Sequence, residues 1–252
     1  MVAVRSALSA SLAALVVLLA VLEISPGTGL VGWATGLACG IVLCGAAARS
    51  ASNSRLESFG PADLVTLTRA TLSCGVAALV ADSFVGDAAA GTLVAMATVA
   101  LVLDAVDGRV ARVTRTVSAF GARLDGEADA FLMLVLSLYV AHSAGAGMLA
   151  TGVLAMGAAR YLFAMAGRAL PWMGAQLPPR YWRKVVTATA GIALTFAAAD
   201  TAAPEATYAA LAVALFLVAE SFGRDVWWLW RHRPDETTEA SREARPVRLS
   251  MR

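Results

Sequence analysis

Apolar residues gather in eight runs separated by short polar or charged breaks: 7–24, 30–48, 64–81, 88–106, 128–142, 148–167, 185–199 and 207–222. A helix needs about 20 apolar residues to cross the hydrocarbon layer of a bilayer. In lipid a helix also satisfies its own backbone hydrogen bonds, which a lone strand cannot do. The pattern therefore predicts an all-α, polytopic membrane protein with about eight transmembrane helices. The fifth and seventh runs are short, and each is expected to recruit flanking residues.

The breaks alternate in charge. Those at 25–29, 82–87, 143–147 and 200–205 contain no Lys or Arg. Arg5, Arg49, Arg55, Arg109, Arg112, Arg115, Arg123, Arg168, Arg180, Arg183, Lys184, Arg224 and Arg231 all lie at the opposite ends of the spans. Basic residues accumulate on the cytoplasmic side, so both termini are expected in the cytoplasm of a multi-pass cell-membrane protein. Composition agrees, since 59% hydrophobic and 15% charged residues exclude an ordinary soluble domain. A net charge of +2 is too small to suggest a nucleic-acid partner. Arg5 followed by an apolar run also fits a secretory signal, but no clear small-residue cleavage site precedes Pro26 and removal would upset the charge alternation. Cys39, Cys44 and Cys74 all fall in apolar spans without ligand spacing and read as core thiols. From Arg231 onward six Arg mix with four acidic residues, a composition expected to stay unstructured and to meet anionic headgroups.

The exception to the apolar pattern is the segment 104–129, where Asp107 and Asp125 sit between two spans and Asp104 and Asp129 at their facing ends. Carboxylates are expensive at membrane depth unless a partner compensates them. The first pair is three residues apart and the second four, so on helices each pair shares a face and the four groups can converge between two helices. Hard oxygen ligands suit Mg²⁺ or Mn²⁺, and two ions are expected. Gly108, Ala111 and Gly121 are small enough to let a flat or phosphorylated ligand near the backbone, and the guanidinium of Arg112 fits a phosphate. The outline is that of a nucleotide-diphosphate site. A cation transporter using the carboxylates as an ion path is the alternative, although it would spread acidic groups through the membrane depth and would not place Arg112 beside them.

The order Asp, two residues, Asp-Gly, two residues, Ala-Arg, eight residues, Gly, three residues, Asp, three residues, Asp resembles, position for position, the signature of the CDP-alcohol phosphotransferase family. The resemblance implies a six-helix catalytic core over 61–224, with residues 1–60 adding two N-terminal helices and a cytoplasmic connection, and 225–252 forming a cytoplasmic tail. It further implies metal ligation by Asp104, Asp107, Asp125 and Asp129, with Asp129 as general base. Gly108, Ala111, Arg112 and Gly121 would cradle the cytidine and its phosphates. The implied reaction moves a phosphatidyl group from CDP-diacylglycerol to a hydroxyl of a small polar acceptor and releases CMP, a step of phospholipid biosynthesis. A phosphorylated polyol such as glycerol phosphate or inositol phosphate is the first expectation, and a neutral acceptor such as inositol or serine the second. The partners expected are thus a CDP-linked lipid, a small polar acceptor and membrane lipids, with a second copy of the chain as a further candidate.

Outside the motif, 60–69 resembles the family's entry into its first core helix, where Asp63 can serve as a cap. Arg69 lies about two turns inside a span, where an unpaired guanidinium would be costly, so it is expected to meet a substrate phosphate or an Asp. Arg160, Arg183 and Lys184 are further candidates for the acceptor, with snorkelling or anchoring at the interface as the alternative for each. Arg183-Lys184 falls where family members with phosphorylated acceptors carry a Gly-Lys-x-Lys-Thr pattern, whose glycine and threonine are not matched here. The stretch 49–60 is expected to hold a short surface segment, His142 to be structural, and Trp227, Trp228 and Trp230 to anchor the last span.

Overall fold

The computed structural model describes the backbone of residues 2–25, 27–53, 59–87, 89–114, 119–145, 147–175, 177–178 and 180–233, and the side chains of these except 2–3, 53, 107–114 and 119. Among the described residues are eight α-helices: α1 (Val2–Ile24), α2 (Leu30–Asn53), α3 (Pro61–Asp82), α4 (Ala90–Thr114), α5 (Ala119–Ser143), α6 (Met148–Ala169), α7 (Tyr181–Ala199) and α8 (Pro204–Arg231). A single 3-10 turn, Pro171–Gly174, follows α6, and no strand is present among the described residues.

Seven of the helices contain one of the eight apolar runs whole, α4 starts two residues inside its run, and most helices outlast the run at one end. Helices α1, α2, α3, α6 and α8 are long and apolar enough to cross a membrane, and Ala90–Val106 forms a shorter apolar stretch of α4. Helix α5 carries Arg123, Asp125, Glu127 and Asp129 in its first three turns, and α7 has only 19 residues. Charge at one end, not a break in the helix, explains the short apolar runs. Residues 49–53 continue α2 instead of starting a separate surface segment, and α8 runs through Arg231, past the expected boundary with the tail. Arg55, Arg115 and the tail beyond residue 233 lie outside the described residues.

Helix α3 is the centre of the bundle, packing against α1, α2, α4 and α5. An unbroken buried stretch from Ser73 to Val80 shows why: the helix is covered on every side. Its start is set by Pro61 in the first turn and by the Gly60 amide, which donates to the Asp63 carboxylate at 2.9 Å. Its far end holds the N-terminal hairpin, because the Asp82 carboxylate accepts from the amides of Gly29 and Gly32, both at 2.8 Å. A Cβ at Gly32 would collide with that carboxylate. The remaining helices form a second group, with α5 packed on α6 and α7, and α8 on α6 and α7. Gly157 of α6 sits so close to α5 that a Cβ there would lie 2.9 Å from the Met133 carbonyl oxygen. His142, in the last turn of α5, packs against Phe84 with the rings tilted and 4.3 Å between centroids.

Candidate active site

Helices α3, α4 and α5 meet at one end of the bundle, and three of the four motif carboxylates converge there. Asp104 comes from α4, and Asp125 and Asp129, one turn apart, come from α5. One ligand oxygen of each lies within 4.8 Å of the other two. The Asp107 side chain lies outside the described residues, as do those of Gly108, Ala111 and Arg112, although the α4 backbone runs through all four. Gly121 sits in the first turn of α5, half-buried.

Into this cluster α3 sends Arg69, of which only 2% is exposed. Its guanidinium lies 3.0 Å from Asp104 and 2.5 Å from Asp125, and it also pairs with Asp129. The Nε donates to the Ala100 carbonyl at 3.2 Å. One guanidinium against three carboxylates leaves the group with a formal charge of −2, which a membrane-embedded site tolerates poorly without a further cation. Hard oxygen donors, close spacing and that residual charge all fit a divalent metal.

Two cavities flank the carboxylates. One lies between α4, α5 and α7 and is lined by Asp104, Asp125, Asp129, Tyr181, Arg183 and Lys184. The other opens between α5, α6, α7 and α8, and its wall includes Glu127, Asp129, Arg160, Tyr161, Arg183 and Asp225. Asp129 and Arg183 belong to both. The four cationic candidates therefore part company. Arg69 is locked among the carboxylates, Lys184 stands in the first cavity, Arg160 in the second, and Arg183 between them.

Neither Arg160 nor Arg183 is unpaired. Arg160 Nη2 donates to Glu127 Oε1 at 2.8 Å across the gap left by Gly126, where a Cβ would lie 3.2 Å from the guanidinium. Arg183 grips Asp225 with two parallel bonds, Nε to Oδ2 at 2.8 Å and Nη2 to Oδ1 at 2.9 Å. Sequence reasoning passed over Glu127 and Asp225. A signal existed for the second: it is an acidic residue beyond the last apolar run, at an end where basic residues are the rule. On the outer face of α7, Trp182 Nε1 donates to Glu220 at 3.1 Å, and Glu220 also pairs with Arg224. The tryptophans that end α8 combine with basic groups, Arg231 lying over Trp227 at 4.2 Å and Arg233 over Trp230 at 5.2 Å.

Comparison with curated proteins and with solved structures finds no match. The family model for CDP-alcohol phosphatidyltransferases does match, over residues 60–219. That range begins one residue before α3 and ends within α8; it contains the carboxylate cluster and the cavity lined by Lys184, while Ser221, Phe222 and Asp225 of the other cavity lie just beyond it. With well over half of its 252 residues matched, the chain belongs to the CDP-alcohol phosphatidyltransferase family.

Proposed function

We propose that the protein transfers a phosphatidyl group from CDP-diacylglycerol to a hydroxyl of a small polar acceptor, releasing CMP on the cytoplasmic face of the cell membrane. The observation that carries this reading is the position of Asp129 on the shared wall of two cavities. A group-transfer enzyme needs a base that touches the acceptor while the donor's phosphorus lies next to it.

The cavity holding Asp104, Asp125 and Lys184 suits the donor, because it adjoins α4, which carries Gly108, Ala111 and Arg112. Its neighbour beyond Asp129 suits the acceptor. Asp104, Asp107, Asp125 and Asp129 would hold Mg²⁺ or Mn²⁺, one ion or two. When bound, the metal neutralises charge on the pyrophosphate and on departing CMP. The chain's own part is to place and deprotonate the acceptor. Its hydroxyl oxygen attacks the β-phosphorus, and the bond from that phosphorus to the bridging oxygen breaks. CMP departs with the electron pair, and the hydroxyl proton passes to the Asp129 carboxylate. Arg69 orients that carboxylate, and Lys184 supplies a cation on the donor side. A lipid donor reaches the site laterally between helices, while a water-soluble acceptor enters from the basic, cytoplasmic end.

The test is CMP release by the full-length protein in lipid nanodiscs supplied with labelled CDP-diacylglycerol, Mg²⁺ and a panel of hydroxyl acceptors. Release should require both acceptor and metal and should stop in excess chelator. Asp129→Asn should abolish it while leaving CDP-lipid binding measurable, because the variant removes the base and only part of the metal site. Near-normal turnover by Asp129→Asn would remove this residue from the role of base, and full activity in chelator would remove the metal.

A further inference from the structure

The cavity beyond Asp129 carries an unusual charge arrangement for a pocket meant to hold a phosphate. Its charged lining residues are Glu127, Asp129, Asp225, Arg160 and Arg183, three carboxylates against two guanidinium groups. Both cations are already engaged. Arg183 spends Nε and Nη2 on the two oxygens of Asp225, a carboxylate whose side chain is only 8% exposed. Arg160 spends Nη2 on Glu127, a pair about half-exposed on both sides. Of the other two candidates, Arg69 is locked among the carboxylates and Lys184 faces the other cavity.

A phosphorylated acceptor would therefore meet a formally negative wall. Arg183 keeps Nη1 for a ligand, but its charge is already matched by the buried Asp225 carboxylate, so a phosphate there would either add uncompensated negative charge or displace Asp225 and strand it. Unpaired or repelling charge is how a site rejects the wrong ligand. Hydroxyl groups face no such obstacle, since each can donate to a carboxylate oxygen and accept from a guanidinium N–H without bringing charge into the cavity.

Resting on the transfer reaction proposed above, we infer that the acceptor is an uncharged polyhydroxy alcohol, and that Asp225, seconded by Glu127, is the residue that excludes phosphorylated acceptors. Asp225 acts on specificity through Arg183 and by repulsion.

The experiment measures CMP release by the full-length protein in nanodiscs with CDP-diacylglycerol and matched acceptor pairs: inositol against inositol 1-phosphate, and glycerol against glycerol 3-phosphate, with ethanolamine as a cationic comparison. A neutral polyol should have a kcat/KM at least tenfold above that of its phosphorylated partner and above that of ethanolamine. Asp225→Asn, which frees Arg183 and removes one negative charge, should lower the KM of the phosphorylated acceptor at least tenfold while the KM for CDP-diacylglycerol stays put. Glu127→Gln, at an exposed position that can tolerate the change, should shift the preference the same way by a smaller factor and stands in if Asp225→Asn does not fold. A wild-type preference for a phosphorylated acceptor or for ethanolamine overturns the inference. So does an unchanged preference in whichever folded variants are obtained. No CMP release from any acceptor by folded protein is a different failure, which withdraws the transfer reaction itself and the acceptor assignment with it.

Discussion

Arg69 ties three helices together. It is 2% exposed, comes from α3, and meets carboxylates of α4 and α5. A buried ion pair adds little net stability relative to an apolar replacement of the whole group, but removing one partner strands charge. Arg69→Met would remove the guanidinium that Asp104, Asp125 and Asp129 share. In chelator its unfolding midpoint should fall, corresponding to a loss of about 3–5 kcal/mol. Saturating Mg²⁺ or Mn²⁺ should recover part of that loss, because a divalent ion supplies the missing charge. Identical melting of variant and wild type, with and without metal, would show that the guanidinium does not hold the cluster. Asp63, by comparison, does what its position before an apolar run suggested, accepting from the Gly60 amide at the helix start.

At the scale of elements, the two added N-terminal helices are tied to the family core at both ends of α3. Near the cluster end, the Ser11 and Thr71 hydroxyls share a hydrogen bond of 2.9 Å, and Val4, Leu8, Ala47, Ala51, Leu67, Phe120 and Leu124 form a small core of their own. At the opposite end Asp82 caps the start of α2 with both carboxylate oxygens. Hydrogen bonds to a charged acceptor are stronger than neutral ones, and these are partly exposed, so Asp82→Ala should cost about 1–3 kcal/mol. The loss should show as faster proteolysis of the α1–α2 connection and a lower melting midpoint, with CMP release per folded molecule retained because the cap is a bundle's length from Asp129. Wild-type protease resistance in Asp82→Ala would mean that apolar packing alone holds the hairpin. The apolar runs marked every helix, but not where it stops: α5 begins nine residues before its run because Asp125 and Asp129 find cationic company inside the bundle.

For the whole molecule, the alternation of basic residues predicts that both termini and the carboxylate cluster face the cytoplasm, and engineered cysteines test that expectation. In a background with Cys39, Cys44 and Cys74 replaced, Ser143→Cys at the end of α5 should react with a membrane-impermeant maleimide in intact cells. Arg168→Cys at the end of α6 should react only after permeabilisation. Both positions are exposed. The opposite labelling pattern would invert the topology and move the carboxylate cluster to the outer face. The sequence by itself determined the helical class, an apolar run for each of the eight helices, the family motif and the carboxylates as the place to look, because hydropathy, period and spacing are properties of residues close together along the chain. Tertiary structure alone decided which charges meet. Arg69 reaches Asp125 and Asp129 across 56 and 60 residues, and Arg183 reaches Asp225 across 42. Such pairings depend on how α3 rotates against α5 and α7 against α8, and local pattern does not encode that rotation. In a low-dielectric site the meeting of charges bears on which ligands can enter, and that meeting is fixed only once the helices are packed.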